Sequence, residues 1–218
     1  MKNLILFSIL IVLFSCKSPK KQLDNTFYAF NNSVRTLPNA PETLEGQVEL
    51  IKKLGFDGFA GHVSQDYFEL RTALDEAGLE MPEIYWGLTI DGEGNATYKE
   101  GLKEVIKDSE DRNLMVALFI NADAYKDNTV TGDPIVADAI AGLADYAAGY
   151  GVKVAIYPHI GNYCETSEHS VKLAKLTDRE NVGAIFNTCH LLKVEGEAGW
   201  EEKLRNALPY LYMISING

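Results

Sequence analysis

From Phe27 onward, short apolar runs alternate with stretches whose apolar residues recur every three to four positions. This is the rhythm of strands that cross to helices and back. The runs at 27–30, 58–61, 83–88, 115–120, 153–157, 182–186 and 211–216 read as seven strands. Several are apolar at consecutive positions, as strands covered on both faces are. Between them the periodicity predicts helices over 43–54, 65–77, 98–112, 134–149, 167–176 and 200–207. Local chemistry agrees at several ends. Thr43 with Gln47, Asp133 before Pro134, and Thr166 before Ser167 and Glu168 supply helix starts. Gly55, Gly78 and Gly151 supply the left-handed residue that closes a helix. No Ser/Gly-rich or low-complexity block interrupts the order, so one α/β domain with a parallel sheet is expected. Seven β/α units fit a (β/α) TIM-type barrel truncated after its seventh strand, and equally a seven-stranded open doubly wound sheet.

Ahead of this domain stands Lys2 and then an apolar run over 4–14, too short for the roughly 20 residues that cross a bilayer. It reads as a signal-peptide core. The run closes on Leu13-Phe14-Ser15-Cys16, which resembles the bacterial lipobox, with Phe14 bulkier than the usual residue. The expected organisation is a lipoprotein signal peptide over 1–15, a lipidated Cys16 beginning a polar tether over 16–26, and the barrel domain over 27–218. That places the domain at the bacterial cell envelope, facing the periplasm or the surface, and touching a membrane only through its lipid. The competing reading is an ordinary signal peptide that happens to contain a cysteine.

Composition narrows the partners. With 46% hydrophobic and 10% aromatic residues the chain can bury one substantial core. Its net charge of −11 is spread without a basic cluster, so nothing supplies the phosphate neutralisation that nucleic-acid binding needs. Beyond Cys16 only Cys164 and Cys189 remain; an oxidising compartment would let them pair, but two cysteines are not a disulfide framework.

In either parallel architecture, ligand groups come from the carboxyl ends of strands. The residues there are His62, then Thr89 and Asp91, then Asn121 and Asp123, then Tyr157-Pro158-His159, then Asn187-Thr188-Cys189-His190, then Ser215 and Asn217. Three of the four histidines fall at these ends. A neutral imidazole binds metals or sugar hydroxyls and can move protons near neutral pH, whereas a lone histidine is more often a satisfied structural residue. His169, inside a helical pattern, is expected to be solvated. Tyr85, Trp86, Tyr157 and Tyr163 near the rim would stack on the apolar face of a sugar or simply pack the barrel top. The Asp91–Asn95 stretch (91–95) lacks the spacing of a calcium loop and reads as a turn. Glu195, Glu197, Glu201 and Glu202 read as a solvated loop and helix start.

Gly55-Phe56-Asp57-Gly58-Phe59 resembles the entry to the second strand of the xylose-isomerase-like superfamily, which joins sugar isomerases, tagatose-type epimerases and apurinic endonucleases. Phe186-Asn187-Thr188-Cys189-His190 is similar to its sixth-strand Asp-x-x-His motif, and the barrel is favoured over the open sheet mainly on this resemblance. The resemblance implies a divalent cation held by a glutamate from strand five, an aspartate from strand six, a histidine from strand seven and a glutamate from strand eight. Here Tyr157, Asn187 and Ser215 stand near the first three positions and only His190 carries over. Neutral oxygen donors hold a hard cation poorly; a rearranged metal site of His62, His159 and His190 is the remaining possibility.

The resemblance implies an isomerase or epimerase acting on a sugar or sugar phosphate, with His159 and His190 as catalytic residues. His62, Tyr85, Trp86, Tyr157, Asn187 and Asn217 would contact the substrate. The alternative is a non-catalytic carbohydrate-binding barrel that has lost the family's metal site. A repair nuclease fits least, given the acidity and Asn187.

Overall fold

The computed structural model describes residues 24–36, 38–62 and 65–216. Cys16 and its tether up to residue 23, and Asn217, lie outside them. All seven predicted strands are present: β1 (Tyr28–Ala29), β2 (Gly58–Phe59) continuing after Ala60 as β3 (Gly61–His62), β4 (Glu83–Ile90), β6 (Met115–Asn121), β7 (Lys153–Ile156), β8 (Val182–Asn187) and β9 (Leu211–Ser215). β1 pairs with β2, and the remaining order is β3-β4-β6-β7-β8-β9. All of these pairings are parallel. The sheet is curled as in a TIM barrel, with helices packed outside.

The curl is visible in how side chains sort. On β4, Ile84, Trp86, Leu88 and Ile90 enter one apolar cluster, with Val116, Leu118 and Ile120 of β6 and helix residues such as Leu70, Leu74, Ile106 and Ile140. The alternate residues form a second cluster, containing Ala60, Tyr85, Met115, Ala117, Ala155, Tyr157 and Ile185. A strand sends successive side chains to opposite faces, so the first cluster is the sheet–helix layer and the second is the barrel interior. Three alanines inside leave room for the rings of Tyr85 and Tyr157. Gly183 does the same for Tyr212: a β-carbon there would lie 2.7 Å from its ring and 2.6 Å from the Tyr210 carbonyl oxygen.

The helices are α1 (Asn31–Thr36), α2 (Leu44–Leu54), α3 (Tyr67–Ala77), α4 (Leu102–Asp108), α5 (Thr129–Ala148), α6 (Ser167–Thr177), α7 (Thr188–Val194) and α8 (Trp200–Ala207). Gly55 and Gly78 are left-handed caps as expected. The Thr43 and Thr166 hydroxyls accept from the backbone N–H groups of Gly46 and His169. Thr166→Ala should therefore lower stability by about 1 kcal/mol, measured as a drop in thermal midpoint.

Three expectations are corrected. The helix predicted over 98–112 is shorter, because residues 96–98 form β5 (Ala96–Tyr98), antiparallel to β4. α5 begins at Thr129, capped by Asn128; Asp133 is not a cap but a buried residue within the helix, 1% exposed. The segment 188–194, which reads as a motif, is helical because the Asn187 carboxamide caps it. Cys164 and Cys189 are both free.

Between β1 and β9 the sheet is not joined by any described strand. The opening is a groove of about 540 Å³ lined by residues 25–30 and 211–216, and by Glu83.

Candidate functional site

The carboxyl ends of β7 and β8 bring together the densest group of the expected residues. β7 leads into Tyr157, which is buried inside the barrel, and then into Pro158 and His159. β8 ends at Asn187, 2% exposed. Its side chain is used at both ends: Nδ2 donates to the Tyr157 hydroxyl oxygen at 2.6 Å, and Oδ1 accepts from the His190 backbone N–H at 3.0 Å. The first turn of α7 therefore carries His190 back over β7.

There it meets His159. The two imidazoles lie with centroids 4.1 Å apart at 46°, and both sit about 6 Å from the Tyr157 ring. Ile160 ties the pair: His159 Nδ1 lies 2.7 Å from its carbonyl oxygen, and its backbone N–H donates to His190 Nδ1 at 3.4 Å. A carbonyl only accepts, so His159 Nδ1 carries a proton, and the Nε2 of the neutral ring is a free base. His190 accepts at Nδ1, so its proton is on Nε2. Burial first, then the repulsion that a protonated His159 would add and the charge of Lys193, lower the His190 pKa to about 4. It is a neutral hydrogen-bond donor at physiological pH.

Beneath Tyr157 stands Tyr85, edge-on at 4.9 Å. The Tyr85 hydroxyl donates to Glu83 Oε1 at 2.8 Å. Burial, then the charge of Glu83, holds the Tyr157 hydroxyl well above its ordinary value, and its own O–H remains a donor. His62 pairs in register with Tyr85 and is partly buried, on the same face but deeper than the other two histidines and across β4 and β6.

Other expected contacts are redirected. Trp86 follows Tyr85 by one residue and so faces the helices; it is buried there with its indole N–H donating to the Lys99 carbonyl. Tyr163 also turns away, donating to Asp133 Oδ1 at 2.6 Å. His169 is not solvated: its Nε2 lies 2.8 Å from the same oxygen and its side chain is 15% exposed. Lys172 Nζ is 2.7 Å from Oδ2, off the line of an ideal hydrogen bond. This network fastens the loop between β7 and α6 that carries His159. Asp91 makes the expected turn, accepting from the Glu93 and Asn95 backbone N–H groups. Glu195 is not a solvated residue: at 10% side-chain exposure it pairs with Lys203 at 2.6 Å.

The residues present do not fit the divalent cation that the sequence resemblance implies. The Asn187 carboxamide is committed at both ends, the Tyr157 hydroxyl is held protonated, and a serine hydroxyl at Ser215 brings no negative charge. Among the described residues no three His, Cys, Asp or Glu side chains group to hold a metal, so His62, His159 and His190 do not form one site. Glu83 was missed in the sequence because it opens a strand of otherwise apolar residues; a carboxylate on the inward parity of a buried strand was the available signal.

A family model described as Xylose isomerase-like TIM barrel matches residues 48–218. Inosose dehydratase from Lactiplantibacillus plantarum is 33% identical over 79 residues, 35% of this chain and 26% of that enzyme. The chain thus spans about a quarter of that curated relative's length. Among solved structures, the probable 3-DHS dehydratase of Bacillus anthracis superposes with a TM-score of 0.68 at 15% identity, covering 87% of this chain and 72% of that one. The 3-keto-D-glucoside 4-epimerase of E. coli gives 0.61 at 18% identity, covering 87% and 76%. At these identities the structural likeness concerns the fold.

Proposed function

The chain belongs to the xylose isomerase-like TIM barrel family, and on that premise we propose that it is a sugar isomerase or epimerase whose site is the His159–His190 pair. The observation that carries this reading is the tautomer pattern set by Ile160: one neutral imidazole presents a bare Nε2, and its tilted neighbour presents an Nε2–H. A sugar bound over them with its carbonyl oxygen toward His190 exposes the adjacent C–H to His159. His159 Nε2 takes that proton, the C–H electron pair moves to form the enediolate, and the oxyanion accepts from His190 Nε2–H and the Tyr157 hydroxyl. Returning the proton to the opposite face of the same carbon completes epimerisation; returning it to the former carbonyl carbon, while the proton of the neighbouring hydroxyl passes to the oxyanion, completes isomerisation. A neutral imidazole is a competent donor for such an oxyanion. The named activities of the inosose dehydratase and keto-glucoside epimerase relatives, both on sugar-derived ketones, support the substrate class.

The test is solvent-deuterium exchange into a panel of ketoses, an inosose and a 3-keto-glucoside, followed by mass spectrometry. Exchange should occur next to one carbonyl, and His159→Ala should lower its rate by about 10²–10⁴-fold. Binding of a sugar without exchange would favour the second reading, a non-catalytic carbohydrate-binding barrel, which the full commitment of the Asn187 side chain also fits. The envelope location, with lipid on Cys16, is part of the proposal and rests on the sequence over 4–16.

A further inference from the structure

The seam between α6 and α8, on the outer side of the sheet, encloses a pocket of about 680 Å³ that the sugar chemistry does not use. Both helices pack there against β8. Lys172 and Lys175, three positions apart, share one face of α6, and α8 brings Lys203 from the facing side. Among the described residues these three ammonium groups meet a single carboxylate in the pocket lining, the exposed Glu168. The chain as a whole has the reverse balance, with 20 basic against 31 acidic residues.

The lysines are anchored by groups outside the pocket. Lys203 Nζ donates to Glu195 at 2.6 Å, and Lys172 Nζ lies 2.7 Å from Asp133 Oδ2. Both carboxylates are withdrawn from solvent, at 10% and 2% side-chain exposure, and neither lines the pocket. Lys175 Nζ stands 5.5 Å from the centroid of the Tyr210 ring, a partner that carries no countercharge. An ammonium has three N–H donors, so one fixed contact orders each lysine and leaves it donors to turn toward the pocket.

We infer that this pocket binds a small phosphate monoester, its phosphate group held by Lys172, Lys175 and Lys203. A dianionic phosphate group offers three acceptor oxygens, one for each ammonium. Lysine engages phosphate as a point charge, without the planar match that a carboxylate finds in arginine. The pocket is larger than a phosphate group alone fills, and the apolar side chains of Val171 and Ala207 in its lining suit the carbon body of an ester. His169 lines the same pocket with its Nε2 engaged by Asp133, so its ring reports on the ligand without holding it.

The full chain can be titrated with sn-glycerol 3-phosphate, inorganic phosphate and succinate at about pH 7.5, where the ester is a dianion, following backbone amides and the His169 ring by NMR. The glycerol phosphate should saturate with a midpoint of about 1 mM or tighter, with shifts concentrated on α6 and α8. Lys175→Gln removes an ammonium without stranding a carboxylate, and should weaken binding at least about fivefold. Inorganic phosphate should move the same signals at lower affinity, and succinate should bind at least about threefold more weakly than the ester. Shifts that never saturate, that survive Lys175→Gln unchanged, or that centre on His159 and His190 would overturn the inference. Succinate matching the ester would remove the preference for phosphate, and inorganic phosphate matching it would remove the role of the carbon body; either result overturns it too.

Discussion

Asp133→Ala should destabilise the fold by about 3–5 kcal/mol, read as a lower urea midpoint with an unchanged slope. The carboxylate is 2% exposed and is the common acceptor for Tyr163 and His169, with Lys172 beside its other oxygen. Removing it strands a buried hydroxyl and a mostly buried imidazole together, which is the expensive way to break such a network. The ammonium of Lys172 is a poor guide to this cost, because its side chain is 53% exposed; Lys172→Ala should cost less than about 1 kcal/mol. Burial alone would raise the Asp133 pKa, but the Lys172 ammonium and the hydrogen bonds from Tyr163 and His169 outweigh it and hold the carboxyl below its ordinary value of 3.8. Its stabilisation is therefore complete above that value and is lost as pH falls through the folded-state value. The site should also suffer, because the loop that carries His159 hangs on Tyr163.

The opposite sign is expected at Glu83. Burial raises this carboxyl from 4.5 to about 7, with the Tyr85 hydrogen bond only partly opposing it. The folded chain thus holds a proton that the unfolded chain releases between those values. Its stability declines as pH rises from about 4.5 to about 7 and is level above that. Glu83→Gln keeps an acceptor for Tyr85 and removes the charge. It should match the parent near pH 4 and exceed it by up to about 3 kcal/mol at pH 8, taking roughly 1.4 kcal/mol per unit. Denaturant midpoints of both proteins at the two pH values check this, and a variant whose advantage over the parent is no larger at pH 8 than at pH 4 would show that the carboxyl is solvated.

The strands were legible because each is a compact apolar run, and only their ends moved by a residue or two, as at Ile90 and Asn121. What periodicity missed was set by particular polar contacts. α7 exists because Asn187 caps it, and β5 because Asp91 ties the turn that folds it back on β4. The parity of Tyr85 and Trp86 was equally readable: neighbours on a strand face opposite ways, so both could not line one pocket. His159 and His190 could be chosen from their strand ends, whereas their approach and tautomers depend on the backbone of Ile160, which no side-chain pattern encodes. The Asp133 network joins residues some thirty positions apart through helix packing, with no local signature.

The β4–β5 hairpin bears on how the chain reaches this state. Every other pairing in the sheet is parallel, so each waits for a crossover to close before its first hydrogen bond can form. Leu88 and Tyr98 meet across a turn over 91–95 alone, at a small loop-closure entropy. β4 also pairs with β6 through seven successive residues, from Glu83 to Thr89. The cheapest sheet contact to form and the longest ladder to extend thus share one strand, which makes β4 the natural seed from which the barrel wall assembles outward.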